Sequence, residues 1–272
     1  MPPHLTVVGS VNLDLVATVE RFPRAGESVT GGTFSRVPGG KGANQAVAAA
    51  RLGAQVDLIA CVGEDEFASV ALSELEHSGV NLDKLKRVQE STGVALIAVD
   101  HEGQNAIVVA PGANFQLRPD DLDIGDTDAV LCQLEIPLET VERASELAPD
   151  RFFLNAAPGR GPFPAADVTI VNRYEVESLP ERDGVVVLTL GHEGAVLIEN
   201  GEEVARATPP EVTAVDGTGA GDAFTACFVV STLEGRSQEE SLRRACVAGA
   251  LAASKFGAQP SMPTAAEVDA LM

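Results

Sequence analysis

Six short, almost continuously apolar runs interleaved with helical patterns set the tightest limit on how this 272-residue chain can fold. They are Leu5–Val8, Val56–Cys61, Val130–Leu134, Phe152–Asn155, Val168–Val171 and Val185–Leu190. Strands of this kind are buried on both faces, which is the condition of a parallel sheet covered by helices. Helical spacing follows in the alanine-rich stretch before Gly53, in Phe67–His77 before Gly79, and after Pro137 placed at N1. It returns in Ala223–Leu233, Glu239–Phe256 and Ala265–Leu271. The expected fold class is therefore α/β, a three-layer α/β/α arrangement around a mostly parallel sheet in one domain, 1–272.

Two segments break the pattern. Leu15–Val19 and Ser28–Val37, joined by the turn Phe22-Pro23-Arg24-Ala25-Gly26, read as a separate β-hairpin. Thr92–Val99 and Ala106–Ala110 read as another, around Asp100-His101-Glu102-Gly103.

Charge excludes one class of partner. The formal net charge is −21, from 40 Asp and Glu against 19 Lys and Arg, so nucleic acid has no basic footprint to bind. Lysine is confined to Lys41, Lys84, Lys86 and Lys255. A carboxylate-rich surface with so little lysine suits a saline, halophilic setting, where salt screens the repulsion. It predicts a thermal unfolding midpoint that rises between low and molar KCl; a flat or falling midpoint contradicts it. No run approaches the roughly 20 apolar residues of a membrane span. Met1-Pro2-Pro3-His4 carries no signal-peptide pattern, and Cys61, Cys132, Cys227 and Cys246 form no CxxC pair. A cytoplasmic protein with buried free thiols is the expectation.

The chemistry is concentrated in two glycine loops. Asp216-Gly217-Thr218-Gly219-Ala220-Gly221-Asp222 places three glycines at alternate positions, unsuited to stable helix or strand, just before an apolar helix. A loop of this kind leaves backbone N–H groups free at the positive end of a helix, which is an anion site. Asp222 would repel phosphate there unless it takes a proton from whatever attacks it. The competing reading is a tight turn with Asp222 as helix N-cap. The second loop is Pro38-Gly39-Gly40-Lys41-Gly42-Ala43-Asn44. Asn12, Asp14, Glu135, Asn172 and Gly191 all follow strand ends, where open α/β sheets bind ligands. Singly each is an ordinary cap or turn residue; with two glycine loops they describe one cleft.

These residues resemble the ribokinase-like carbohydrate kinases of the phosphofructokinase-B type. Gly39–Val47 is similar to that family's N-terminal signature and Asp216–Phe224 to its C-terminal one. Gly9–Asp14, Ser91–Leu96, Gln133–Glu135, Asn155–Pro158 and Gly257–Ser261 sit between and after them in family order. The resemblance implies ATP-dependent phosphorylation of a sugar primary hydroxyl. Asp222 would be the general base, and the N–H groups of Gly219, Ala220 and Gly221 would hold the charge of the transferring group. Asn12, Asp14, Gly40, Lys41, Asn44 and Glu135 would bind the sugar. Asn172, Thr189, Gly191, Gly194 and Gly221 would meet the nucleotide, and Glu175 would hold Mg²⁺ through water. Asp216, Thr218, Ala252, Lys255, Gly257 and Ser261 match the family's K⁺ site. About 13–37 and 92–110 would form a β lid, through which a homodimer is expected.

Within that resemblance, the Gly-Gly-Lys-Gly-Ala-Asn-Gln string and Gln133-Leu134-Glu135 imply ribose as acceptor. Another sugar, fructose, 2-keto-3-deoxygluconate or a nucleoside is the alternative, and a non-catalytic sugar or nucleotide sensor is the remote one. A dehydrogenase is set aside, because no GxGxxG follows the first strand. Departures from the family pattern are Arg173 and Tyr174 inside Asn172–Glu175, Gly217 in place of a threonine-like residue, and Lys255 in place of arginine. The run from Glu175 to Val185 is short, with room for about two helical turns where a covering helix is expected.

Overall fold

The computed structural model describes residues 1–159, 161, 163–179 and 184–272. Strand β1 (His4–Val8) passes into β2 (Asn12–Thr18), which turns back as β3 (Thr33–Gly39). Helix α1 (Lys41–Arg51) starts at once and is closed by Leu52 and Gly53, the latter at φ 99°. Next come β4 (Gln55–Gly63), two short helices α2 (Glu66–Ala71) and α3 (Ser73–His77), and β5 (Leu85–Val88). A hairpin of β6 (Gly93–Val99) and β7 (Asn105–Ala110) precedes β8 (Ala129–Gln133) and α4 (Leu138–Leu147). The strands continue as β9 (Phe152–Asn155), β10 (Val168–Asn172), β11 (Val185–Thr189), β12 (Ala195–Glu199) and β13 (Glu202–Ala207). Helices α5 (Ala220–Leu233), α6 (Gln238–Ala253) and α7 (Ala265–Asp269) finish the chain.

Nine strands form the central sheet in the order β13-β12-β11-β10-β9-β8-β1-β4-β5. All neighbours from β5 to β11 are parallel; only β12 and β13, at one edge, are antiparallel. Alternate residues of each strand go to opposite layers. Leu5, Val7, Leu131 and Phe153 pack with α1, α5 and α6, while Val8, Cys132 and Leu154 pack with α4 and the 3-10 turns near Ala113–Leu117. Helix α5 is apolar all round and buried from Asp222 to Ser231, as a helix sandwiched between sheet and neighbouring helices must be. Burying a side chain such as Phe228 contributes roughly 2–3 kcal/mol.

A second sheet of four strands, in the order β3-β2-β6-β7, stands beside the first. The two hairpins read from the sequence join because β2 pairs parallel with β6, from Asn12↔Gly93 to Thr18↔Val99. Strand β3 begins at Thr33, five residues later than the Ser28 start read from the sequence.

Several elements depart from the sequence reading for identifiable reasons. Phe67–His77 is two helices, because the chain turns at Leu72 after a first helix capped by Asp65, whose carboxylate accepts the Ala68 N–H at 3.0 Å. Pro137 is the extended N-cap residue of α4 (φ −56°, ψ 135°) and not its first helical residue. Strands β5 and β13 went unread because both lie at sheet edges, where Leu-Lys-Arg-Val and Glu-Glu-Val-Ala-Arg-Ala need no continuous apolar face. Helix α6 stops at Ala253, leaving Phe256 exposed, and α7 at Asp269. After Glu175 there is one 3-10 turn, Val176–Ser178; residues 180–183 of the shortened run lie outside the described residues.

Candidate active site

Helix α1 meets the β1–β2 connection through three glycines. At Gly42 an added Cβ would stand 2.5 Å from the Ser10 nitrogen, and at Gly40 2.6 Å from the Asn12 nitrogen. Gly40 is also the N-cap at φ 90°, a conformation that L side chains avoid. At Gly39 a Cβ would lie 2.4 Å from both Asp14 carboxylate oxygens. The helix N-terminus is thus pressed onto the residues expected to bind sugar.

Hydrogen bonds then fix those residues in place. Ser10 Oγ donates to Glu135 Oε2 at 2.5 Å, and the Lys41 N–H donates to the same oxygen at 3.1 Å. Asn12 Oδ1 accepts from Asn114 Nδ2 at 2.7 Å, while Asn114 Oδ1 accepts the Val11 N–H at 2.8 Å. Asn12 therefore turns its own NH₂ outward as a donor. Asn44 Nδ2 donates to Asp222 Oδ2 and Gln45 Nε2 to Asp222 Oδ1, both at 2.9 Å. Asn44 Oδ1 is buried with no partner among the described residues.

Asp222 is not an N-cap. Gly219 caps α5 in the left-handed conformation (φ 78°), the helix begins at Ala220, and Asp222 is its third residue, 6% exposed. Of the three backbone donors expected here, Ala220 N–H bonds the Gly217 carbonyl at 3.3 Å. Those of Gly219 and Gly221 have no partner among the described residues. A Cβ added at Gly217 or Gly221 would meet nothing within 4 Å, and neither residue has positive φ. Neither the backbone nor a protein neighbour requires glycine at these two positions. The space they leave at a helix N-terminus fits a phosphate group.

Charge in the cleft is lopsided. Asp222, Glu135 and Glu175 surround Lys41, and Asp14 stands near Glu135 and Asp222. Burial, with Glu135 and Asp222 nearby, pushes the Asp14 carboxyl up to about 7. Burial pulls the Lys41 ammonium down, but Asp222, Glu135 and Glu175 outweigh it and hold it above its ordinary value. Glu175 is raised by burial, against the opposing pull of its bond to Asn172 and of Lys41. A cleft of about 340 Å³ opens between the small sheet and the loops before α5 and after α6, lined by Asp14, Val37 and Ile97 on one side and Asp216–Thr218 and Gly257 on the other.

The Asn172–Glu175 turn is closed on itself. Asn172 Oδ1 accepts the N–H groups of Tyr174 (2.8 Å) and Glu175 (2.9 Å), and Glu175 Oε2 accepts that of Asn172 (3.0 Å). The bulky Arg173 and Tyr174 do not obstruct it. Arg173 reaches the Leu190 carbonyl at 2.8 Å and Glu193 at 3.0 Å, and Tyr174 is exposed. Thr189 pairs in register with Asn172 at the ends of β11 and β10, and Gly191 and Gly194 form the turn beyond. Gly194 has a structural reason of its own, since a Cβ there would lie 2.0 Å from the Ala207 carbonyl oxygen.

The residues expected around K⁺ also converge. Asp216 Oδ1 accepts from the Thr218 N–H (2.9 Å) and hydroxyl (2.6 Å), and Oδ2 from the Gly257 N–H (2.9 Å). The Asp216 N–H reaches the Ala253 carbonyl at the end of α6, next to Ala252. Ser261 Oγ donates to the Ala258 carbonyl at 2.7 Å. Lys255 turns its ammonium away to Glu267 at 2.8 Å, so only its backbone remains on this side. Oxygen donors at a helix C-terminus beside a carboxylate suit a cation. Gln45, Gln133 and Asn155 lie inside the family-like segments Gly39–Val47, Gln133–Glu135 and Asn155–Pro158 without a role of their own there, and Asn114 lies outside every such segment.

The comparisons with known proteins agree with this geometry. Residues 2–265 match the model of the pfkB family carbohydrate kinases. Among curated proteins, a ribokinase of Bacillus subtilis (strain 168) is 39% identical, with 99% of each chain covered. A deoxyribokinase of Salmonella typhi is 32% identical, with 96% of this chain and 95% of its own covered. Among solved structures, a ribokinase of Thermotoga maritima superposes with a TM-score of 0.90 at 31% identity, covering 99% of both chains. Arabidopsis thaliana ribokinase complexed with ribose and ATP superposes at 0.87 and 32% identity, covering 100% of this chain and 99% of its own. Two signature loops folded into one cleft, a family match over nearly every residue and full-length relatives above 30% identity place this chain in the pfkB family of carbohydrate kinases.

Proposed function

We propose that this chain is an ATP-dependent sugar kinase that converts D-ribose to D-ribose 5-phosphate. The observation that carries the reading is the Asp222 carboxylate, held by Asn44 and Gln45 in the first turn of α5 beside the open positions Gly217 and Gly221. Two amide N–H bonds leave a carboxylate oxygen lone pair for the proton of an attacking hydroxyl. The free N–H groups of Gly219 and Gly221 lie where negative charge grows on the transferring group, and Lys41 adds a cation on the same side. Asp14 and Asn12 offer an acceptor and a donor to vicinal hydroxyls, which favours ribose over a 2-deoxy sugar.

The test is an ADP-release screen with ribose, 2-deoxyribose, fructose, 2-keto-3-deoxygluconate and adenosine. Ribose is expected to give the highest kcat/KM. A higher value on 2-deoxyribose would move the assignment toward the deoxyribokinase relative, and turnover on none would end the kinase reading.

Glu175 and the Asn172 turn fit Mg²⁺ held through water. Such an ion keeps most of its waters and takes few protein ligands, so a single carboxylate there suits it. When bound, it would neutralise triphosphate charge beside Glu175 and Asp222. The oxygen-rich Asp216–Thr218, Ala252, Lys255, Gly257 and Ser261 surroundings fit K⁺. Replacing potassium by tetramethylammonium at equal ionic strength is expected to lower kcat several-fold or more; equal rates in both salts would contradict a cation site.

A homodimer through the small sheet is the matching assembly. Phe34, Leu96 and Val108 are exposed there, more apolar surface than a lone sheet face usually leaves in water. Light scattering at micromolar concentration should give twice the chain mass of 28.2 kDa, and a monomer mass would contradict it. No helix among the described residues is long and apolar enough to cross a membrane. A cytoplasmic setting fits four buried free cysteines, with burial pushing Cys61 and Cys227 up to about 11 and Cys246 to about 12.

A further inference from the structure

Behind Asp222 lies a chain of uncharged, buried amides. Gln133 Nε2 donates to Gln45 Oε1 at 2.7 Å. Gln45 Nε2 donates both to Asp222 Oδ1 and to Asn155 Oδ1, each at 2.9 Å. Asn155 Nδ2 donates to the Ile170 carbonyl at 3.2 Å. Gln45 and Gln133 are fully buried.

The direction of this chain is forced from both ends. An ionised carboxylate only accepts, so Gln45 must turn its NH₂ to Asp222 and its oxygen to Gln133. Gln133 must then donate, and its own oxygen is left without a partner among the described residues. That oxygen fits only because residue 9 is glycine; a Cβ there would stand 2.1 Å from it. At the other end, the Ile170 carbonyl can only accept, which turns the Asn155 oxygen toward Gln45. A buried oxygen left unpaired is unfavourable. Its presence shows that the arrangement serves the carboxylate and not its own hydrogen-bond count.

We propose that Gln45 is a positioning residue for the reaction, clamping one Asp222 oxygen so that the other lone pairs face the sugar hydroxyl, with Gln133 holding the Gln45 side chain in that orientation. The inference rests on the reading of Asp222 as general base. Asn44 holds the second oxygen from the cleft side, so the carboxylate plane is fixed by one residue that faces substrate and one that does not. Displacing a reacting group by about 1 Å can lower a rate about 100-fold. Gln45→Met keeps length and removes the donor; Gln133→Met removes the support one step further back.

The experiment measures kcat and KM for ribose and ATP in wild type, Gln45→Met, Gln133→Met, Asp222→Asn and the double variant Gln45→Met/Asp222→Asn, with single-turnover rates for the slow ones. Expected are a kcat about 100-fold lower in Gln45→Met, a smaller loss in Gln133→Met, KM values within threefold, and no further loss from Gln45→Met in the Asp222→Asn background. A Gln45→Met kcat within threefold of wild type, or a loss that multiplies with that of Asp222→Asn, overturns the positioning role and leaves the general-base reading standing. Full activity in Asp222→Asn would instead remove the reading beneath it. Should Gln45→Met lose its cooperative melting transition, Gln133→Met carries the same comparison, including its own double variant with Asp222→Asn.

Discussion

Asp222→Asn is expected to lower kcat for ribose phosphorylation at least about 1000-fold while leaving KM for ATP within a few-fold. General bases contribute on the order of 10²–10⁴ to rate, and nothing else described in the cleft is placed to replace this one. The two remaining carboxylates near the sugar positions are otherwise engaged: Glu135 accepts from Ser10 and Lys41, and Asp14 lies against Gly39. The substitution also disturbs the neighbours in a defined way. A carboxylate accepts from both Asn44 and Gln45, whereas an amide has one oxygen, so one of the two donors loses its partner or turns. A stability loss of about 1–2 kcal/mol should accompany the rate loss. Steady-state ADP release with a melting curve on the same sample checks both; a kcat within tenfold of wild type would refute the general base.

Asp14→Asn should move stability and affinity in opposite directions. The Asp14 carboxyl is 7% exposed and stands near Glu135 and Asp222, and burial first and those charges next raise it from 3.8 to about 7. Between those two values the folded chain holds a proton that the unfolded chain has released. Stability therefore falls as pH rises through that window, and the full loss is present above about pH 7. A rise of this size corresponds to on the order of 4 kcal/mol. Asparagine removes the charge, so the sugar-free variant should melt higher than wild type at pH 8, with the difference shrinking toward pH 4. The same change removes the charged acceptor for sugar hydroxyls, and hydrogen bonds to charged groups contribute about 1.5–3 kcal/mol each. KM for ribose should rise at least about 100-fold. Melting curves at pH 8 and pH 5 without sugar, with calorimetric titration of ribose, separate the two effects. A variant that melts lower at pH 8 would show that Asp14 supports the fold; unchanged ribose affinity would remove it from the sugar site. Destabilising charge retained in an empty cleft is the pattern of a site built for its ligand.

The sequence exposed the centre of the sheet and hid its edges. Leu5–Val8, Val130–Leu134 and Val185–Leu190 are legible because a parallel strand covered on both faces must be apolar throughout. Strands β5 and β13 meet no such requirement and passed unread. Helix α5 starts at Ala220 and not at Ala223 because burial of its apolar residues outweighs the roughly 1 kcal/mol that Gly221 costs in a first turn. In the site, charged and glycine residues announced themselves: Asp222, Lys41, Glu135 and the loops around them. The amides did not. Gln45 lies in an alanine-rich helix with no pattern that tells which face meets Asp222. Asn114 is tied to Asn12 across 102 positions of sequence, a contact that no local pattern foretells.

The most direct test of an in-line transfer to a primary hydroxyl beside Asp222 is the position of the phosphate in the product. Purified protein, D-ribose, ATP, Mg²⁺ and K⁺ can be followed by phosphorus–proton correlated NMR. One product is expected, with phosphorus coupled to the two protons on C5 of the sugar and ADP formed in equal amount. Phosphate on the anomeric carbon or a ring hydroxyl, or ADP formed with inorganic phosphate and no sugar phosphate, would contradict it.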